Sequence, residues 1–157
     1  MHQLNIVHND LKCDNILVGV NGDAKIMDFG LSCMPDVAEI KVNLKRMGAV
    51  YWKSPEYLKG ERVSIETDMY SLAMCVVEIL TDDVPWGRNM LPSVVSFRVK
   101  KGLLPSRPAV MTNKQWNLIE LMTKLDPAQR VRASFVVDKL FEIVSNDETF
   151  DVAADSA

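Results

Sequence analysis

What this sequence has little of narrows its class first. Only three cysteines occur among 157 residues (Cys13, Cys33 and Cys75), with no C-x-x-C pair and no histidine cluster. An odd, scattered set argues against a disulfide framework or a zinc site and fits a reducing, cytoplasmic compartment. No apolar run reaches the roughly 18 residues of a membrane span. The opening Met1-His2-Gln3-Leu4-Asn5 has no charged stretch leading into a hydrophobic one, so no signal peptide is expected. Positive charge is not in excess either: Lys plus Arg number 18 against 21 Asp plus Glu, a net charge of −3. That balance gives no field for gripping a phosphate backbone, and no nucleic acid partner is expected. Apolar residues reach 48% and charged residues 25%, which suits one ordinary folded domain with a sizeable core and excludes a disordered chain.

The pattern changes character along the chain. The first third alternates short apolar runs with turns: Ile6-Val7, Ile16-Leu17-Val18 and Ala24-Lys25-Ile26-Met27. Val20-Asn21-Gly22-Asp23 lies between the last two, and its Asn-Gly predicts a hairpin turn. Residues 31–53 show little periodicity and predict a long ordered loop, of the kind that carries function in compact domains. Beyond it the pattern is helical. Thr67-Asp68 reads as an N-cap, followed by Met69, Leu72, Ala73, Val76, Val77 and Leu80 at helical spacing. Further helices are expected over 92–101, 113–125 and 134–144, punctuated by Pro85, Pro105, Pro108 and Pro127. Residues 146–157 hold four acids and no base; they are expected to form a disordered tail beside one domain over 1–145.

Three motifs then follow one another in an order that carries chemistry. His8-Asn9-Asp10-Leu11-Lys12-Cys13-Asp14-Asn15 lies on a loop between the first two strands, Asp28-Phe29-Gly30 follows the hairpin, and Ser54-Pro55-Glu56 follows the long loop. Singly, Asp10, Asn15 and Asp28 are ordinary turn or capping residues. As a set they fix about nine residue choices at given spacings, which coincidence does not supply. The set resembles the catalytic loop, metal-binding turn and end of the activation segment of a eukaryotic protein kinase, most of all the tyrosine-kinase-like Ser/Thr group.

The resemblance implies a mainly helical fold with a short β-hairpin region, a kinase C-terminal lobe with the N-lobe absent. It implies Asp10 as the base for an incoming hydroxyl, Lys12 as the contact to the transferring phosphate, and Asn15 and Asp28 as ligands of Mg2+. Leu17 would form an apolar floor beneath the adenine of ATP. Elementary chemistry runs alongside: phosphoryl transfer asks mainly for positioning and charge neutralisation, and magnesium prefers oxygen ligands. Gly30 would let the chain turn sharply after Phe29. His8 and Phe29 are expected to pack, and Asp14 and Asp23 to be solvated. Glu56 is expected to pair with Arg130 of Asp126-Pro127-Ala128-Gln129-Arg130, and Asp68 to accept backbone N–H groups of the catalytic loop. The partners implied are ATP and a protein substrate.

Four features depart from the family's pattern. No G-x-G-x-x-G occurs, and seven residues precede His8, whereas the family carries its Gly-rich loop, strand lysine and paired glutamate upstream. The chain is therefore expected to be a partial domain, inactive alone. Asn9 stands where most members have an Arg that receives an activation-loop phosphate, and no Ser, Thr or Tyr lies between Cys33 and Val50. Control without phosphorylation of that stretch is expected. Ala49 stands where the family usually has a Thr whose hydroxyl joins the base and the lysine. Finally, Lys41, Lys45, Arg46, Lys53 and Lys59 make the loop basic, read here as a solvated face. The departures leave a rival reading, a pseudokinase or C-lobe interaction module without catalysis.

Overall fold

Apolar runs of two to four residues can build little more than a single short ladder, and that is what forms. In the computed structural model, which describes residues 1–35 and 47–154, β1 (Ile16–Val18) and β2 (Ala24–Ile26) pair antiparallel, with Ile16 opposite Ile26 and Val18 opposite Ala24. The Gly19 N–H bonds the Asp23 carbonyl at 2.8 Å, so Val20, Asn21 and Gly22 make the turn. Gly22 takes a φ of 84°, where a side chain would be strained. Val7 forms a single antiparallel bridge to Cys33 rather than a strand.

From residue 47 on, the regular elements of the described chain are helices. A 3-10 stretch (Met47–Trp52) leads into α1 (Pro55–Lys59). Ser54 caps α1 by accepting the Tyr57 N–H, Pro55 opens it, and Gly60 closes it at φ 77°. The next helix, α2 (Ile65–Thr81), starts before the expected Thr67-Asp68: Ser64 is its cap, with its N–H on Thr67 Oγ1 at 3.0 Å. Asp68 thus lies in the first turn, its carboxylate left for other partners. Then come α3 (Pro92–Lys100), α4 (Asn113–Met122) and α5 (Ala133–Ala154). Reciprocal bonds between Thr112 and Gln115 cap α4, which ends at Met122 rather than 125. The end of α5 lies past the expected 144, because extending a formed helix is far easier than starting one. Residues 155–157 of the acidic tail, like 36–46 of the long loop, lie outside the described residues.

α2 is the axis of the lobe. Its Met69, Tyr70, Ala73, Met74, Cys75 and Val77 are buried against Val50, Trp52, Leu118, Ile119, Met122 and Val136. Full burial of a side chain of this size stabilises by about 1.5–3 kcal/mol. Leu80, expected in the same stripe, is exposed together with Ile79, because the last turn of α2 runs out of the core. Two cysteines far apart in sequence meet here: the ligand atoms of Cys13, Cys75 and Glu78 all lie within 4.8 Å of one another, a proximity the spacing did not reveal. Burial pushes the Cys13 thiol up to about 12 and raises Cys75 as well, so both stay protonated. No helix among the described residues is long and apolar enough to cross a membrane.

Candidate active site

The first-turn carboxylate of α2 sets the position of the loop that carries Asp10. Asp68 is buried; its Oδ2 accepts the His8 N–H at 2.8 Å, its Oδ1 accepts the Asn9 N–H at 2.9 Å, and His2 Nε2 lies 3.0 Å from Oδ2. Charge-assisted bonds of this kind, sheltered from water, are stronger than neutral ones at a surface. They hold Asn9 at φ 66°, a region Asn tolerates better than most residues. His8 is fully buried. Its Nε2–H donates to the Met27 carbonyl at 2.9 Å and its Nδ1 accepts the Asp10 N–H at 3.3 Å, a tautomer assigned from these partners. The rings of His8 and Phe29 meet in a T shape with centroids 5.1 Å apart. His8 therefore ties the Asp28 segment to the Asp10 loop.

Asn15 closes the loop from within. Its Nδ2 donates to the Asp10 carbonyl at 2.8 Å and reaches Asp10 Oδ2 at 3.5 Å, while its backbone carbonyl accepts the Met27 N–H at 2.9 Å. Asp28 takes φ 61°, and its Oδ1 accepts the Gly30 N–H at 3.3 Å. Gly30 itself has no positive φ, so the sharp turn expected of it is made by Asp28. A Cβ on Gly30 would sit 3.2 Å from Asp28 Oδ1, which is why a glycine suits that close approach. The side-chain carbonyl of Asn15 and the second carboxylate oxygen of Asp28 have no protein donor among the described residues. Two hard oxygens left in this way fit magnesium.

Other expected residues are less engaged. The Lys12 ammonium lies 3.4 Å from the exposed Asp14 carboxylate and makes no bond to Asp10 among the described residues. Asp14, read as merely solvated, thus has Lys12 as its partner. Leu17 sits opposite Lys25 on the ladder and is 54% exposed, as are, to varying degrees, Val18, Ile26, Met27 and Phe29.

Lys53 overturns the solvated-face reading. It is 4% exposed. Its Nζ donates to Asp10 Oδ1 and to the Asn9 carbonyl, both at 2.7 Å, and lies 4.7 Å from the Tyr57 ring centroid. Burial lowers its pKa, and the hydrogen bond and charge of Asp10 oppose that shift. Of the other basic residues of that loop, Lys59 is exposed, while Lys41, Lys45 and Arg46 lie outside the described residues. Glu78 is a second residue the motifs did not show. Its Oε2 accepts the Trp52 Nε1–H at 2.7 Å and the Cys13 N–H at 3.3 Å. Its signal was present as one acid inside the apolar run Cys75-Val76-Val77-Glu78-Ile79-Leu80.

Behind the site, Glu56 and Arg130 form a two-pronged pair with both bonds at 2.7 Å. Thr67 Oγ1 donates to Glu56 Oε1 at 3.0 Å, and Arg130 also donates to the carbonyls of Glu66 and Lys124, each at 2.8 Å. The start of α1, the start of α2 and the segment before α5 are joined at this one buried point.

A helical lobe with one hairpin, whose central helix pins a loop bearing Asp10, Lys12 and Asn15 beside an Asp-Phe-Gly turn, is the architecture of a phosphotransferase C-lobe. The profile of the protein kinase domain matches residues 1–141, and the chain belongs to that family. It is similar to probable serine/threonine-protein kinase mkcC of Dictyostelium discoideum, 32% identical over 133 residues that cover 85% of this chain and 15% of that protein. Mitogen-activated protein kinase kinase kinase 9 of Arabidopsis thaliana is 29% identical over 144 residues, covering 90% of this chain and 18% of its own length. Mitogen-activated protein kinase kinase kinase mkh1 of Cytospora mali is 31% identical over 160 residues, covering 96% and 8%. The chain thus spans less than a fifth of the length of each of these relatives.

Proposed function

We propose that this lobe serves transfer of the γ-phosphoryl group of ATP to a serine or threonine hydroxyl of a protein. The observation that carries the reading is the loop pinned by Asp68, which holds Asp10 with its side chain still 16% exposed. Asp10 accepts the proton of the incoming hydroxyl, a contribution of about 10²–10⁴ in rate for a positioned base. Among the described residues Lys12 is tethered only to an exposed acid, an interaction worth about 1 kcal/mol or less, and it can turn to the phosphate. Asn15 and Asp28 would hold Mg2+, which when bound neutralises charge on the phosphates. The exposed apolar residues of the hairpin (Leu17, Val18 and Ile26) suit an adenine ring and a covering small lobe.

The groups that grip the ATP phosphates from above would come from outside these 157 residues, which contain no G-x-G-x-x-G. Incubated with Mg·[γ-32P]ATP and a generic acceptor protein, the purified 157-residue chain should incorporate no label, and the native gene product should label serine or threonine. Label on tyrosine alone, or label incorporated by the isolated chain, contradicts this reading. A reducing intracellular compartment is part of the same proposal and fits three free cysteines. The rival, a C-lobe used for binding alone, is favoured by one observation, the Lys53 ammonium already seated on Asp10.

A further inference from the structure

Lys53 is buried and in contact with the carboxylate proposed as the base. All three directions of its ammonium are filled: Asp10 Oδ1, the Asn9 carbonyl and the face of Tyr57. It therefore does not swing, unlike Lys12 with its exposed partner. An apolar side chain would fill the same place without bringing a charge out of water, so the distinctive effect of a lysine here falls on Asp10. That effect is geometric. The Lys53 bond to Oδ1 restrains the carboxylate about its last torsion, while the Asp10 N–H bonded to His8 holds the backbone that carries it. Among the described residues its other oxygen, Oδ2, has only the long 3.5 Å approach of Asn15 Nδ2 and stays available. Ala49 carries no hydroxyl with which to perform the same task.

We propose that Lys53 is the positioning residue of the base: it commits Oδ1 of Asp10, so that Oδ2 alone meets the incoming hydroxyl. This rests on the kinase reading above. Lys53 touches neither the phosphate nor the acceptor in this account, and its loss should act on the rate of the chemical step and not on binding.

The test compares wild type, Lys53→Met, Lys53→Arg and Asp10→Asn in the native gene product, measuring kcat and both KM values by varying Mg·ATP and a generic acceptor protein in turn. Misplacing a catalytic group by about 1 Å costs about a hundredfold, so Lys53→Met should lose about that factor in kcat with KM for ATP unchanged. Lys53→Arg, which still donates to Oδ1, should recover part of the loss. Melting curves accompany each variant, and should Lys53→Met fail to fold, Lys53→Gln takes its place with the same expected loss. If Asp10→Asn abolishes transfer while Lys53→Met matches or exceeds the wild-type rate, the proposal is overturned and the kinase reading stands. A loss confined to KM, or Lys53→Arg no better than Lys53→Met, also overturns it. No transfer by the wild type, or full transfer by Asp10→Asn, removes the kinase reading and this proposal with it.

Discussion

Both oxygens of Glu56 are taken by Arg130 where neither charge meets water, and that makes the pair costly to break from one side. Glu56→Ala leaves a guanidinium buried without its counter-charge, and a loss of about 3–5 kcal/mol in unfolding free energy is expected. A melting temperature equal to wild type would refute it. The pair also fixes a pH dependence. Burial alone would raise the Glu56 pKa, but the hydrogen bonds and charge of Arg130 outweigh burial and hold it below its ordinary 4.5. For a carboxylate depressed on folding, the stabilisation is complete above the unfolded value and is lost as pH falls through the folded one. The gap in melting temperature between wild type and Glu56→Ala should therefore shrink below pH 4.5. Glu56, Arg130 and Asp68 were readable from motif order, since each stands at a set place beside a recognisable run. Lys53 was not. A sequence gives a side chain's charge but not what it faces, and within a loop of basic residues the solvated reading is the natural one.

As an element, α2 does two jobs with two faces. One is apolar and fills the lobe; the other brings Asp68 and Glu78 to the loops that carry the site. Met74 is fully buried at the centre of the apolar face. Met74→Ala should cost about 2–5 kcal/mol, read as a lower urea midpoint with an unchanged slope; an unchanged midpoint would place the centre of the core elsewhere. The helix itself was legible from its 3.6-residue period. Its start was not, because Ser64 and Thr67 are both good caps and only the backbone geometry decides between them. The hairpin was legible from Asn21-Gly22, and the turn differs from a two-residue loop because the Gly19–Asp23 bond closes it one step out. Glu78 escaped because a lone acid in an apolar helix signals a buried partner without naming it.

Across the whole molecule, buried and half-buried carboxylates rather than exposed charges organise the site: Asp68 holds the Asp10 loop, Glu78 holds Trp52 and Cys13, and Glu56 ties the helices behind them through Arg130. Among the described residues no carboxylate anchors the hairpin in this way, and Leu17, Val18 and Ile26 are open to solvent. The class of protein was legible because three short motifs keep a recognisable order and spacing within residues 8–56. The contacts among them were not, since they depend on which side chains the fold brings together from distant segments. The measurement that bears most directly on the account is phosphoryl transfer by the native gene product carrying Asp10→Asn. The account predicts a fall in kcat of about 10²–10⁴, with KM for ATP close to wild type. Transfer at the wild-type rate would contradict it, because a lobe whose Asp10 can lose its carboxylate without consequence does not use that residue as a base.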